Sequence, residues 1–242
     1  MNQSIFQIEE NEPLTGAVHR LRLLGDTSAI TAPGQFVNIK LEGLFLRRPF
    51  SVCDVEGDKL TVVYKTVGQG TEKLSRMRPG ETLDVLTGLG NGFDTSLSGD
   101  KPLLLGGGVG LTPLVGLSKK LRVEGKPVSV ILGFNTKDEV FYEQEFKALG
   151  CAVTVATMDG SYGVRGFVTD ALPEDYSYFY TCGPEAMMKA VCQAAKTSGQ
   201  LSFEARMGCG FGACMGCTCQ TIAGPKRICK DGPVLRREEV LW

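Results

Sequence analysis

The chain reads LLLGGGVGLTP from Leu103 to Pro113. An apolar run typical of a buried strand is followed by a glycine-rich turn and then by helical periodicity as far as Val123. Glycines let the backbone approach a pyrophosphate, and a helix start offers free N–H groups with partial positive charge. The candidate nucleotide ligands are Gly106, Gly107, Gly108, Gly110 and Thr112. The alternative is a tight strand–helix turn that binds nothing, because the spacing G-x-G-x-x-P differs from the dinucleotide pattern G-x-G-x-x-G.

Strands and helices of about ten residues continue to alternate after this turn, which predicts βα units on a parallel sheet. The strand-like runs cover 128–134, 152–157 and 176–180, and the helical patterns cover 140–149 and 185–196. Just after the last strand-like run comes Cys182-Gly183-Pro184, and ligands collect at the carboxyl ends of parallel strands. Cys182, Gly183 and Pro184 are therefore further nucleotide candidates. For Cys182 the alternative is a small, buried apolar residue.

The second strand of this region leads into the acidic sequence FNTKDE, residues 134–139. A carboxylate at this point suits the 2′-hydroxyl of a ribose, whereas a 2′-phosphate needs an arginine, which this segment does not contain. For a nicotinamide dinucleotide, this segment favours NADH over NADPH, with Asp138 as the ribose ligand.

The sequence pattern of residues 1–98 differs from that of the βα units. Short runs of β-forming residues, such as 36–40 and 60–65, are separated by glycines and prolines at regular intervals, which predicts an antiparallel barrel or sandwich. A short helical turn fits residues 71–77, with Thr71 as its N-cap.

The same region contains RRPFS, residues 47–51. A strand that presents a guanidinium and a hydroxyl beside a fixed backbone suits a phosphate and the edge of a flavin. The alternative is that the paired arginines form a solvated face of the barrel.

The most specific motif is CGFGACMGC, from Cys209 to Cys217, followed by Cys229. The spacing C-x4-C-x2-C matches the plant-type [2Fe–2S] loop, and its glycines let backbone N–H groups point at the bridging sulfides. The predicted ligands are Cys209, Cys214, Cys217 and Cys229. A structural zinc site with four cysteines is the alternative. Cys219 competes with Cys217, but only Cys217 gives both intervals.

The amino-acid composition excludes several classes of function. The 242 residues are 43% hydrophobic and 22% charged, with a net charge of -1, so the chain is globular and has no basic footprint for nucleic acid or an anionic membrane. The single histidine excludes sites built on several histidines. Nine cysteines, an odd number, argue against a disulfide framework. With no secretory signal and no apolar stretch of membrane-spanning length, we expect a cytoplasmic protein.

A nicotinamide site and an iron–sulfur site in one chain require a third group. Nicotinamide gives up two electrons together, an iron–sulfur centre accepts one, and a flavin can exchange with both. The three regions use nearly all of the chain, so we expect the organic substrate to bind a partner polypeptide, with the cluster near that interface.

These motifs, in this order, resemble those of the ferredoxin-reductase-like superfamily, and more narrowly the electron-transfer subunits of B-type dihydroorotate dehydrogenase. The most specific part of the resemblance is CGFGACMGCTC followed by CKDGP at 229–233. It implies a multi-domain fold: an antiparallel β-barrel FAD domain (1–98), an α/β parallel-sheet NAD domain (99–200) and a small Cys-rich [2Fe–2S] segment (201–242).

The resemblance also implies the site residues. The FAD ligands would be Arg48, Pro49, Phe50, Ser51, Val63, Tyr64, Lys65, Gly70 and Thr71, and the catalytic positions would be Ser51 and Cys182. The implied partner is an FMN-containing dihydroorotate dehydrogenase catalytic subunit, in a heterotetramer with two copies of each chain. Electrons would pass from dihydroorotate through the cluster and FAD to NAD⁺, in pyrimidine biosynthesis.

Two other functions remain open at this point. One is the small subunit of another NAD(P)H-linked complex, of the sulfide dehydrogenase, transhydrogenase or hydrogenase diaphorase type. The other is a zinc-stabilised, non-catalytic interaction module. Plant-type reductases cover the flavin with a C-terminal aromatic residue, but Trp242 follows the cysteine segment and is not assigned that role.

Overall fold

The computed structural model describes residues 1–242. Its N-terminal part is a closed barrel of six antiparallel strands in the order β1-β2-β5-β4-β3-β6. The strands are β1 (Asn2–Pro13), β2 (Val18–Leu24), β3 (Phe36–Lys40), β4 (Arg48–Glu56), β5 (Lys59–Lys65) and β6 (Thr82–Leu89). Alternate residues such as Leu21 and Leu23 point inward and are fully buried, as expected for a sheet with one apolar face. Of the two architectures predicted, the barrel is confirmed.

A second sheet holds seven strands in the order β10-β9-β8-β7-β11-β12-β15. They are β7 (Pro102–Gly107), β8 (Ser129–Phe134), β9 (Ala152–Thr157), β10 (Val164–Arg165), β11 (Tyr178–Cys182), β12 (Gly199–Ser202) and β15 (Val234–Arg236). All neighbours are parallel except β15, which is antiparallel to β12. The chain runs outward on one side from β7 to β10 and on the other from β11 to β12. The topological switch point, where ligands bind in such sheets, therefore lies between β7 and β11.

Three helices accompany this sheet: α2 (Pro113–Val123), α3 (Glu143–Ala148) and α4 (Glu185–Ala194). Helix α2 packs against barrel strand β4 so closely that a Cβ on Gly116 would lie 3.2 Å from the carbonyl oxygen of Cys53. Lys119 of the same helix forms ion pairs with Asp54 and Glu56 of β4. This contact fixes the barrel against the parallel sheet. None of the helices is long and apolar enough to cross a membrane.

The cysteine-rich segment forms a hairpin, β13 (Thr218–Thr221) and β14 (Gly224–Arg227), before it joins the second sheet through β15. Its buried residues Ile228 and Leu235 share one apolar cluster with Phe36, Leu86 and Leu89 of the barrel. The buried apolar side chains of the segment therefore pack against the barrel and form no separate core. Strand β12 spans the position near 200 at which the sequence suggested a domain boundary.

The predicted elements agree with the structure apart from their ends. Helix α1 (Gln69–Ser75) begins earlier than predicted, with Gly68 as its N-cap. Thr71 lies inside the helix, where its hydroxyl accepts from the backbone N–H groups of Val67 and Gly68, so the prediction of Thr71 as the N-cap was wrong. Helix α3 is shorter than the predicted 140–149, because Tyr142 before it adopts a left-handed conformation, φ 65°.

Candidate functional site

The glycine-rich turn after β7 and the turn after β11 lie against each other at the switch point. A Cβ on Gly110 would lie 2.5 Å from the Cα of Gly183, and one on Gly107 would lie 2.9 Å from Cδ of Pro184. Only glycine permits this approach of two backbones. Gly108 has a φ of +51° and no atom within 4 Å of its Cβ position. The two motifs thus form one surface with an open face at Gly108, which suits the close approach of a pyrophosphate.

The other predicted nucleotide residues lie on both sides of this surface. Thr112 is buried at the start of α2. Asp138 is exposed in a short turn at the carboxyl end of β8, where neighbouring Glu139 accepts hydrogen bonds from Asn135. The loop after β9 adjoins this turn, because Lys137 N–H donates to the hydroxyl of Ser161 at 2.8 Å. The carboxyl ends of β8 and β9 therefore share the edge that carries Asp138.

The thiol of Cys182 is buried beneath the nucleotide surface, with 1% of the residue exposed. Burial raises its pKa to about 12, so the thiol is protonated and uncharged at neutral pH. Burial likewise raises the pKa of Cys53 to about 12. Neither residue has the thiolate character of a reactive cysteine.

A cleft of about 360 Å³ lies between the barrel, the glycine-rich turn and the chain after β12. We call it the barrel cleft. The family resemblance implied several FAD ligands that form its barrel wall: Arg48, Pro49, Phe50, Ser51, Val63, Tyr64, Lys65 and Thr71. Val109 and Thr112 line it from the nucleotide side. Thr112 thus belongs both to the predicted nucleotide residues and to the wall of the barrel cleft.

The two arginines of RRPFS have different environments. Arg47 lies outside the cleft, and its Nη2 donates to both carboxylate oxygens of Asp84 at 2.9 Å. Arg48 lines the cleft, and its Nη1 donates to the carbonyl oxygen of Leu46 at 2.6 Å. A Cβ on residue 70 would lie 2.8 Å from Nε of Arg48. Because Gly70 has no side chain, there is room for the guanidinium next to helix α1. Arg48 therefore offers an unneutralised positive charge in the cleft, and Arg47 does not.

Tyr64 forms part of the barrel cleft from a fixed position in the barrel. Its hydroxyl donates to Oδ1 of Asn11 at 3.0 Å, and its ring stacks on His19 at 5.4 Å between centroids. Burial raises the pKa of the phenol to about 12. The side chain is thus a neutral and rigid wall.

The four predicted metal-ligating cysteines form two pairs. N–H groups of Ala213 and Cys214 donate to Sγ of Cys209 at 3.2 and 3.4 Å, and Cys209 N–H donates to Sγ of Cys214 at 3.5 Å. Cys229 N–H donates to Sγ of Cys217 at 3.4 Å. No three His, Cys, Asp or Glu side chains converge so as to hold a single metal ion. Two pairs of thiols fit a two-iron centre with four thiolate ligands better than one zinc ion that takes all four.

The loop favours the thiolate form of Cys209. Burial raises the pKa of this thiol, but hydrogen bonds from the loop N–H groups and from Cys214 outweigh burial and lower it to about 6. The pKa of Cys229 is raised by burial, and then by the hydrogen bond and negative charge of Cys217. Cys219 lies on β13 outside both pairs, with a pKa raised by burial. Cys217 is thus joined to Cys229 by a hydrogen bond and Cys219 is not, and the assignment of Cys217 as the third ligand stays a prediction.

Comparisons with known proteins place the chain in a family. Residues 204–241 match a family model described as the iron–sulfur cluster binding domain of dihydroorotate dehydrogenase B, and residues 104–193 match an oxidoreductase NAD-binding domain. The electron transfer subunit of dihydroorotate dehydrogenase B (NAD(+)) from Geobacillus sp. (strain WCH70) is 42% identical, covering 100% of this chain and 99% of that protein. The corresponding Bacillus mycoides (strain KBAB4) subunit is 43% identical, covering 99% and 98%.

The chain belongs to the family of dihydroorotate dehydrogenase B electron transfer subunits. Among solved structures, the NADH-dependent reduced ferredoxin–NADP oxidoreductase is similar with a TM-score of 0.90 at 32% identity, covering 99% of this chain and 90% of that one. A ferredoxin NADP⁺ reductase from Neisseria gonorrhoeae shares the fold, with a TM-score of 0.70 at 18% identity and coverage of 80% and 90%. The resemblance inferred from the sequence is therefore confirmed at the level of family and fold.

In this electron transfer subunit the barrel cleft has a third wall that the sequence analysis missed. It consists of Phe203, Glu204, Ala205, Met207 and Pro233, which flank the cysteine segment at both ends. Glu204 keeps solvent access at the mouth of the cleft, yet desolvation by the surrounding atoms raises the pKa of its carboxyl. No periodicity marks these residues, because they reach the barrel only through the pairing of β12 with β15.

A second cleft of about 310 Å³, which we call the tail cleft, separates the C-terminus of the electron transfer subunit from the hairpin β13–β14. Trp242, Cys217 and Cys219 line it, and Phe203 lines both this cleft and the barrel cleft. Trp242 does not line the barrel cleft. Its ring packs on Phe203 at 6.0 Å between centroids.

Proposed function

We propose that this chain passes electrons between a dihydroorotate dehydrogenase catalytic subunit and NAD⁺ through a [2Fe–2S] cluster and FAD, in pyrimidine biosynthesis. One observation carries the proposal: the barrel cleft is bounded by the nucleotide turn through Thr112 on one side and by Met207, which leads into the cysteine loop, on the other. This arrangement supports a path on which FAD would lie between the nucleotide and the cluster. Relatives at 42–43% identity over nearly their full length are dihydroorotate dehydrogenase B electron transfer subunits, which supports this assignment.

The residues of the chain suit binding and positioning more than acid–base catalysis. A flavin supplies exchange between a two-electron donor and a one-electron acceptor, and the iron–sulfur centre supplies the one-electron step. Arg48 and Thr71 would hold the phosphates and Ser51 the ring edge of FAD. Cys182, as a neutral buried thiol, would pack against the nicotinamide without changing its charge. The glycine surface at Gly108 and Gly110 would carry the pyrophosphate of NAD(H), and Asp138 the adenosine ribose.

The chain is divided by this proposal into three functional parts: 1–98 for FAD, 99–200 for NAD and 201–242 for the cluster. The catalytic partner would be an FMN-containing dihydroorotate dehydrogenase subunit, with two copies of each chain in a heterotetramer. The exposed apolar side chains of Phe211 and Met215 in the cysteine loop support docking of the partner at the cluster. All nine cysteines are free, which supports a reducing, cytoplasmic location.

A reconstitution experiment tests the function. The chain, loaded with FAD and iron–sulfur, is mixed with a dihydroorotate dehydrogenase catalytic subunit, and NAD⁺ reduction is followed after addition of dihydroorotate. We expect NADH formation that requires both chains. Co-purification instead with an iron–sulfur-rich large subunit, without dihydroorotate oxidation, would support the second candidate. That candidate is the small FAD/[2Fe–2S] subunit of another NAD(P)H-linked complex, and the similarity at 32% identity to an NADH-dependent reduced ferredoxin–NADP oxidoreductase favours it as the alternative.

A further inference from the structure

Arg227 connects the two parts of the chain that supply the cluster ligands. Its Nη1 donates to the carbonyl oxygen of Gly212 at 3.0 Å, inside the loop between Cys209 and Cys214. Its Nε and Nη2 donate to the two carboxylate oxygens of Asp231 at 2.9 and 3.1 Å. Asp231 follows Cys229 by two residues. One guanidinium therefore joins the three-cysteine loop to the turn that presents the fourth ligand.

The backbone closes the same turn around Arg227. Its N–H donates to Oδ2 of Asp231 at 2.9 Å, and its carbonyl oxygen accepts from the N–H groups of Lys230 at 3.0 Å and Asp231 at 2.7 Å. Next to it, Ile228 N–H donates to the carbonyl oxygen of Cys217 at 3.1 Å. Cys229 is thus held from both sides. A bidentate arginine–carboxylate pair adds geometric specificity that a single hydrogen bond lacks.

The pair also places two opposite charges beside the cluster ligands. The side chains of Arg227 and Asp231 are only 25% and 33% exposed, so solvent screens them incompletely. Reduction adds one negative charge to the cluster. A nearby cation favours the reduced state and raises the reduction potential, whereas a nearby anion disfavours it and lowers the potential. Groups around the ligands of a metal centre tune it in this way.

We propose that Arg227 and Asp231 are positioning residues that lock Cys229 against the three-cysteine loop and set the reduction potential of the cluster by their opposing charges. The proposal rests on the cluster-binding part of the proposed function and is independent of the catalytic partner. It extends the predicted cluster site from the four cysteines to a charged pair that no cysteine spacing indicates.

The test compares reduction potentials measured by paramagnetic resonance during redox titration of the full chain loaded with FAD and cluster. Arg227→Gln should lower the potential of the cluster, because Asp231 is left without its cation. Asp231→Asn should raise it, because Arg227 is left without its anion. The double variant should return towards the unmodified protein. Lys147→Gln breaks a different i,i+4 ion pair, with Glu143 at 2.6 Å on α3, and serves as the matched control with no shift.

The opposite signs of the two expected shifts in reduction potential distinguish an electrostatic role of the pair from a purely structural one. Shifts of Arg227→Gln and Asp231→Asn in the same direction, or shifts no larger than that of Lys147→Gln, would overturn the proposed control of the potential. If Arg227→Gln does not retain the cluster, Arg227→Lys keeps the charge without the planar fork. This variant should keep the reduction potential of the unmodified protein but release iron to a chelator faster. Unchanged iron release would refute the locking role. A chain with no cluster at all before substitution would instead refute the proposed function.

Discussion

The aromatic ring of Phe203 lies between the barrel cleft and the tail cleft and packs on Trp242 at 6.0 Å between centroids, with 41° between the ring planes. Phe203 is fixed by the hydrogen bond from its N–H to the carbonyl oxygen of Pro233 at 2.9 Å. The C-terminal residue thus contacts the wall of the barrel cleft from behind. Because the chain contains a single tryptophan, this contact can be observed directly.

We predict that tryptophan fluorescence reports occupancy of the barrel cleft. A flavin bound there would lie one aromatic ring away from Trp242, close enough to quench its emission. Emission excited at the indole band should therefore rise when FAD is stripped and fall when FAD is added back. Trp242→Phe should abolish the signal and still retain FAD. Emission that is the same with and without FAD would argue that the flavin binds elsewhere.

The adjacent arginines of RRPFS should differ in their effects. Arg48→Ala removes an unneutralised guanidinium from the cleft, and the loss of a charge-assisted hydrogen bond of about 1.5–3 kcal/mol corresponds to roughly 10–150-fold weaker FAD binding. Arg47→Ala leaves the partly buried carboxylate of Asp84 without its cationic partner, so it should lower the melting temperature of the protein.

FAD titration of the stripped protein and thermal unfolding measure the two effects separately. Arg47→Ala is the control for Arg48→Ala, since both remove one positive charge from the same strand entrance. FAD affinity that falls equally in the two variants would remove Arg48 from the site.

Substitutions of Cys214 and Cys219 provide a second matched pair of variants. Cys214→Ser should lose the cluster yet keep FAD and the reduction of a dye by NADH, because no cysteine lines the barrel cleft. Cys219→Ser should keep the cluster, because Cys219 lies outside both thiol pairs. Iron content and the absorption spectrum measure the outcome. Loss of FAD together with the cluster would mean that the two sites depend on each other.

Much of this site could be predicted from the sequence because its signals are local. The intervals between Cys209, Cys214 and Cys217 fix one loop, and the glycines from Gly106 to Gly110 span the end of strand β7 and the turn after it. In each case the chemistry requires residue types at short spacing, and the backbone conformation follows from the same few residues. The alternation of strands and helices similarly predicted the parallel sheet.

The unpredicted parts depend on contacts between distant segments. Arg47 and Arg48 are indistinguishable in the sequence, and only the position of Asp84 in β6 decides which one is neutralised. Glu204 carries no motif and enters the barrel cleft because β12 pairs with β15. Thr71 has the composition of an N-cap, but helix α1 begins two residues earlier, so its hydroxyl binds the backbone from within the first turn.

Glu204 should make the stability of the protein depend on pH. Desolvation raises the pKa of its carboxyl above 4.5 in the folded state, so the folded chain holds this proton more tightly than the unfolded chain does. The resulting contribution to stability is fully present at pH values below the pKa of Glu204 in the unfolded chain. It is lost as the pH rises through the pKa of Glu204 in the folded chain. Glu204→Gln mimics the neutral carboxyl at every pH. The melting temperature of the unmodified protein, relative to that of Glu204→Gln, should therefore fall as the pH is raised from 4 to 7. A constant difference over this range would show that the carboxyl is as well solvated in the cleft as in the unfolded chain.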